Sequence, residues 1–151
     1  MARPKHIRSD AQYYFVTTTT HRRAPLFERA DLAEIVVGAL YDIRSRGHIR
    51  VHGFVVMPDH FHAVMSLPDE EHLPKLMHSL KSYTAHAINN AREGRGKVWQ
   101  DGYYGYALRD LEDARKKVRY VLGNPIRKGL LEEFGSYPWS SGNGKYEVDS
   151  L

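Results

Sequence analysis

The stretch Val55-Val-Met-Pro-Asp-His-Phe-His-Ala-Val-Met-Ser-Leu67 decides the fold, because it places two short apolar runs on either side of a turn sequence. Pro58 presets φ for the first central position of a tight turn, and Asp59 can hydrogen-bond the local backbone. The stretch therefore predicts a β-hairpin whose second strand begins at or near His60.

Two histidines share one face of the second strand of this hairpin. Side chains alternate between the two faces of a strand, so His60 and His62 point the same way. The apolar residues that point the other way, toward a core, are Phe61, Ala63 and Met65. Neutral imidazole is the commonest protein ligand for transition metals, so the histidine pair predicts two ligands of a metal site. A His-x-His triplet is also often two half-exposed polar residues, and a third ligand has to come from elsewhere in the chain.

Composition limits the class of protein. A chain of 151 residues with 42% hydrophobic and 26% charged residues suits a single globular domain over residues 1–151. The net charge of +4 permits a polyanionic partner, and the lack of cysteine excludes disulfides, thiolate zinc sites and cysteine nucleophiles. Neither a membrane-spanning apolar run nor a signal-peptide core is visible, so we expect a cytoplasmic protein without membrane contact.

Hydrophobic periodicity predicts the other elements. Strands are expected at 13–20, 48–57, 61–67 and 103–108, and helices from about Asp31 to Gly47 and over 73–88. A third helix should run from an N-cap at Asp110 to Gly123 or Asn124, stopped by Pro125, and the tail from Gly129 should be irregular. The order β-α-β-β-α-β-α is typical of an α+β, ferredoxin-like (RRM-like) antiparallel sheet with two helices on one face.

The third helix supplies candidates for chemistry. Helical periodicity places Tyr120 away from the apolar stripe and on one side with Lys116 and Asn124. On periodicity alone, an exposed tyrosine on a basic helix is an equally good interpretation. Together with the histidines, however, the pattern suggests a divalent cation held by His60, His62 and the Asn124 oxygen, which would act on a phosphodiester as a Lewis acid. Tyr120 would then be the nucleophile, with Lys116 or the metal favouring its phenolate.

Several blocks of the sequence resemble the REP-associated tyrosine transposases, a group within the single-tyrosine transposases that carry a His-hydrophobe-His motif. The resemblance runs from about Tyr13 to Ser141 with the blocks in the family's order. The blocks are Met57-Pro-Asp-His-Phe-His62, Val98-Trp-Gln-Asp-Gly-Tyr-Tyr104, Tyr120-Val-Leu-Gly-Asn-Pro-Ile-Arg-Lys-Gly-Leu130 and Trp139-Ser-Ser141. The chain departs from the family's pattern at Asp59, where asparagine is frequent, and at Gly142, where an aromatic residue is frequent.

The resemblance implies a single-stranded DNA endonuclease and strand transferase that depends on a divalent metal, Mg²⁺ or Mn²⁺. It implies that His60 and His62 bind the metal with Asn124 as third ligand, and that Tyr120 forms a 5′-phosphotyrosine. The implied substrates are imperfect palindromic hairpins flanked by a short guide sequence. The alternatives are a hairpin-binding protein without catalysis and a metal phosphodiesterase that uses water. A monomer is favoured over a homodimer.

Basic and aromatic residues are the candidate DNA contacts. The candidate phosphate contacts are Arg22, Arg23, Arg95, Lys97, Lys117, Arg119, Arg127 and Lys128. For any one of them, a solvated basic face is the simpler interpretation. Tyr103 and Tyr104, with Tyr106, would stack on unpaired bases, although aromatic residues in strands more often fill a core.

Overall fold

Four strands form one antiparallel sheet in the computed structural model, which describes residues 12–69, 71–129 and 137–151. The strands are β1 (Gln12–Thr19), β2 (Arg50–Met57), β3 (His60–Leu67) and β4 (Tyr104–Ala107), in the spatial order β2-β3-β1-β4. The helices are α1 (Ala30–Ser45), α2 (His72–Arg92), α3 (Leu111–Leu122) and the single turn α4 (Asn124–Arg127). This arrangement confirms the predicted ferredoxin-like fold. Within the described ranges, no helix has both the length and the apolarity needed to cross a bilayer.

The hairpin at the centre of the sheet has the predicted turn. Met57 pairs with His60, so Pro58 and Asp59 are the two turn residues and β3 begins at His60. The loop after β1 holds this turn through its backbone, because the Thr20 amide donates to the Asp59 carbonyl at 2.9 Å. The start of β3 is therefore fixed from two sides.

One face of the sheet packs against α1 and α2 and forms the main core. Phe61, Ala63 and Met65 of β3 point into it and are fully buried, as the alternation along the strand predicts. Each large apolar side chain buried in this way contributes about 1.5–3 kcal/mol to folding. This face therefore supplies most of the stability of the fold.

The opposite face of the sheet is covered by α3. A smaller apolar cluster joins the helix to the strands, and its members are Phe15, Val55, Met57, Val64, Leu108, Ala114 and Val121. The Asp110 carboxylate accepts a hydrogen bond of 2.8 Å from the Asp113 amide, which confirms the predicted N-cap. The helix ends at Leu122, and Pro125 then lies in the first turn of α4, where its missing amide proton costs nothing.

Residues 137–151, the described part of the C-terminal tail, lie along the outer edge of β2. The Val56 amide donates to the Trp139 carbonyl at 2.8 Å, and the Val51 amide donates to the Asp149 carboxylate at 2.8 Å. Asp149 also forms an ion pair of 2.9 Å with Arg44 of α1. The sequence predicts only an irregular tail, whereas the structure shows that this segment protects an otherwise open sheet edge.

Candidate active site

The two histidines of the hairpin lie side by side beneath α3. Their ring centroids are 4.6 Å apart, and each residue is only 8% exposed. Cross-strand pairing sets His62 opposite Thr17, and His60 opposite Thr19. The pair is therefore buried, which does not fit the interpretation of two half-exposed polar side chains.

Each histidine has a partner on its Nδ1 atom. His60 Nδ1 donates to the Asp59 carboxylate at 2.7 Å, and His62 Nδ1 shares a hydrogen bond of 2.7 Å with the Thr17 hydroxyl. A partner on one ring nitrogen fixes the orientation of the ring and leaves the other nitrogen for a metal. The sequence pattern does not identify either residue as a partner of a histidine, because Asp59 has the signature of a turn residue and Thr17 that of an ordinary strand residue.

The surroundings of His62 favour its neutral form. Burial first, and then electrostatic interaction with His60 and with the cation of Lys117, lowers the pKa of His62 to about 3. A ligating imidazole must be neutral, so His62 is held in the state that metal binding requires at physiological pH.

Tyr120 of α3 stands at the open side of the histidine pair. Its ring centroid lies 6.2 Å from that of His62 and 6.3 Å from that of Phe15. The residue nevertheless remains 46% exposed. The tyrosine is thus anchored through one side of its ring while the rest is accessible to a substrate.

Two cations lie against the Tyr120 ring. Lys117 Nζ is 5.0 Å from the ring centroid, and the Arg127 guanidinium carbon is 4.4 Å from it. Arg127 also donates to the Tyr120 carbonyl. Lys116 Nζ instead lies 3.7 Å from the Glu112 carboxylate. The structure therefore places Lys117, rather than Lys116, next to Tyr120, and a catalytic role for Lys116 stays a prediction.

Asn124 is the residue closest to completing a metal site. Its side chain is buried, and its Nδ2 lies 3.4 Å from His60 Nε2. Half a turn of the amide would bring Oδ1 to the same position. Among the described residues, no three His, Asp or Glu side chains form a metal-binding group. Asn124 therefore stays the predicted third ligand, and two imidazoles with one carbonyl oxygen fit a divalent cation that keeps positions open for water or substrate.

The candidate DNA contacts lie in four places. Arg22 and Arg23 follow β1, where Arg23 Nε is 3.0 Å from the Asp59 carboxylate. Arg95 and Lys97 follow α2. In the consecutive helices α3 and α4, Lys117 and Arg119 lie on α3, and Arg127 and Lys128 lie at the end of α4. Tyr103 and Tyr104 are exposed beside or on the edge strand β4, so they are not core residues. Each of these DNA contacts stays a prediction.

Comparisons with known proteins agree with this arrangement. A sequence model of the family described as "Transposase IS200 like" matches residues 8–122. The REP-associated tyrosine transposase of Escherichia coli (strain K12) is 22% identical over 143 residues, which cover 91% of this chain and 82% of that protein. The solved structure of a REP-associated tyrosine transposase bound to a REP hairpin is similar in fold, with a TM-score of 0.75 and 22% identity. That similarity covers 93% of this chain and 86% of the solved one.

Proposed function

This chain belongs to the IS200-like transposase family and is an enzyme of that kind, and we propose that it cleaves and rejoins single-stranded hairpin DNA through Tyr120. The observation that carries the proposal is the position of Tyr120, an exposed tyrosine beside two buried histidines whose Nδ1 atoms are already partnered. Hairpin DNA is proposed as substrate because the similar transposase of known structure was solved with a REP hairpin.

In the proposed reaction the Tyr120 hydroxyl oxygen attacks a phosphodiester phosphorus. The bond from phosphorus to the 3′ oxygen breaks, the phenol proton is released, and the leaving 3′ oxygen takes up a proton. The product is a 5′-phosphotyrosine, which a 3′ hydroxyl can attack in the reverse sense to rejoin the strand. Lys117 and Arg127 flank the ring, so they stabilise negative charge as it develops on the attacking oxygen and the phosphate.

The histidine pair has a separate task in this proposal. His60 and His62, with the Asn124 oxygen, would hold Mg²⁺ or Mn²⁺, which when bound supplies Lewis-acid polarisation of a phosphate oxygen. Asp59 and Thr17 keep the two imidazoles oriented toward that position. The α3 helix keeps the pair buried, which strengthens charge interactions there.

The test is a covalent trap with a hairpin oligonucleotide and divalent metal. Wild type should give a protein–DNA adduct that survives denaturation and is joined through the 5′ phosphate. Tyr120→Phe removes one oxygen and keeps the ring, so hairpin binding should persist while cleavage and adduct both vanish. Tyr104→Phe and Tyr106→Phe are the matched controls and should form the adduct normally.

The outcomes separate the alternatives. An adduct with Tyr120→Phe would assign the nucleophile to another tyrosine. Cleavage without any adduct would mean that water is the nucleophile. Tight hairpin binding without cleavage in wild type would leave only a DNA-binding protein.

A further inference from the structure

A polar cavity of about 270 Å³ shares a wall with the candidate active site. Thr17 and Thr19 at the end of β1 line one side of it. Thr17 is the residue that hydrogen-bonds His62, and Thr19 is the cross-strand partner of His60. A group bound in this cavity is therefore one strand away from the histidine pair.

The other side of the cavity is the loop that leads into β4, and its backbone is held in place. Lys81 of α2 donates to the carbonyls of Gln100, at 2.8 Å, and Gly102. The backbone amide of Gln100 donates to the Thr19 carbonyl at 2.8 Å, which leaves the Gln100 side chain out of this contact. Gly102 adopts a left-handed φ of +71°, which suits glycine. Such a loop is organised before binding, which lowers the entropy cost of holding a ligand.

The side chains that this loop presents to the cavity suit a nucleobase. Tyr104 is 65% exposed, and it pairs across the strands with Thr17, so it shares a face with His62. Exposed aromatic rings beside a basic surface are the usual stacking platform for unpaired bases. Gln100 adds an exposed amide, which can donate and accept hydrogen bonds at a base edge. The Asp101 carboxylate is paired with Lys97 at 2.8 Å, so it does not leave the cavity with an uncompensated charge.

We propose that this cavity binds an unpaired base of the DNA strand next to the scissile phosphate, stacked on Tyr104 and read by the Gln100 amide. The inference rests on the proposed function, since it presumes that DNA reaches the histidine pair. A glutamine side chain can form two hydrogen bonds with the edge of an adenine, so adenine is the expected base. Tyr104 and Gln100 would then determine the sequence at one position of the substrate.

Binding can be measured without cleavage by using Tyr120→Phe as the parent protein. Fluorescence anisotropy would compare hairpin oligonucleotides that carry each of the four bases, or an abasic site, at successive unpaired positions. At one unpaired position the protein should bind the adenine oligonucleotide most tightly, and an abasic site at that position should weaken binding. Tyr104→Ala should weaken binding of the adenine substrate by roughly 5- to 150-fold, the range that loss of one base–aromatic stack implies.

Matched variants distinguish stacking from loss of structure. Tyr104→Phe keeps the ring and should bind like the parent protein, and Tyr83→Ala removes a tyrosine of similar exposure (63%) on α2 and should change nothing. The Gln100→Ala variant should bind the four oligonucleotides that differ at the adenine-preferring position with nearly equal affinity. If Tyr104→Ala and Gln100→Ala both keep the affinity and base preference of the parent, the cavity does not bind a base.

The adduct assay keeps the two proposals apart. A Tyr120 adduct with no dependence on any unpaired base would overturn the base-binding cavity and leave the proposed function standing. A base preference that depends on Tyr104, without an adduct in wild type, would support the cavity and overturn the proposed chemistry. No binding of any hairpin would overturn both.

Discussion

On the face of the sheet beneath α1 and α2, Phe61 and Met65 of β3 are fully buried among apolar side chains. On the face beneath α3, the alternate residues His60 and His62 are nearly as buried, yet both are hydrogen-bonded to polar neighbours. Burial on the first face excludes water from a core, whereas burial on the second holds polar groups in one orientation. Because neighbours along β3 serve different faces, stability and activity should be separable by substitutions one residue apart.

The largest contrast is expected between Phe61→Ala and His62→Ala. Phe61→Ala should lower the free energy of unfolding by about 3–5 kcal/mol, since it leaves a cavity in the main core. His62→Ala should leave unfolding cooperative but abolish cleavage that depends on Mg²⁺ or Mn²⁺. Urea denaturation and metal titration calorimetry measure the two effects. Equal metal affinity in wild type and His62→Ala would remove the metal site.

A substitution at the sheet edge should lower stability and leave cleavage unchanged, as expected for substitutions on the core face. Asp149 is tied to Arg44 and to the Val51 amide, so Asp149→Asn should cost about 1.5–3 kcal/mol of stability at pH 7 while cleavage is retained. Burial alone would raise the pKa of Asp149, but the hydrogen bonds from Arg44 and Val51 outweigh it and hold the pKa below 3.8.

The sign of the pH effect follows from that lowered pKa. A carboxylate with a lowered pKa in the folded state stabilises the protein above its unfolded pKa and loses this effect as the pH falls. The stability difference between wild type and Asp149→Asn should therefore shrink from about pH 5 downward. A difference that stays constant down to pH 2 would show that the charge of Asp149 does not matter.

Two adjacent threonines give the closest matched pair. Thr17→Val removes the partner of His62 and should weaken metal binding and cleavage by about 10- to 100-fold. Thr18 points to the other face, and its buried hydroxyl has no hydrogen-bond partner among the described protein atoms. Thr18→Val should therefore raise the free energy of unfolding by about 1 kcal/mol without changing cleavage. Equal cleavage by the two variants would contradict the difference between the faces.

The smallest effect is expected at the lysine pair of α3. A cation near a charge that develops at a solvent-exposed site contributes about 1 kcal/mol, so Lys117→Met should slow single-turnover cleavage roughly 5-fold. Lys116→Met should cleave like wild type, because that lysine lies beside Glu112. The opposite ranking would support the predicted catalytic role of Lys116 over that of Lys117.

Features that depend on local periodicity were predictable from the sequence. The hairpin, the separation of His62 from Phe61 and the N-cap at Asp110 follow from strand alternation and capping, and the structure confirms them. The choice between Lys116 and Lys117 was not predictable in this way. Both lie one turn from Tyr120, and packing against Phe15 decides which of them meets the ring.

Features that depend on register or on single hydrogen bonds were not predictable. The contact of Thr17 with His62 requires one particular register of β1 against β3. Alternation predicts which face of the sheet each side chain lies on, but not which residues of the two strands lie opposite each other. The tail along β2 is held by backbone groups and by Asp149, which follow no repeat in the sequence.

The two histidines and Asp59, which orients His60, lie close together in the chain, but Thr17 and Asn124 are distant in sequence. Thr17 lies 45 residues from His62, and Asn124 lies 64 residues from His60. Closing such long loops is slow and entropically costly, so these contacts form only when the sheet and α3 have assembled. During synthesis the hairpin leaves the ribosome well before Asn124 and Tyr120 do. A nascent or partly folded chain therefore carries the histidine pair before Asn124 and Tyr120 are in place beside it.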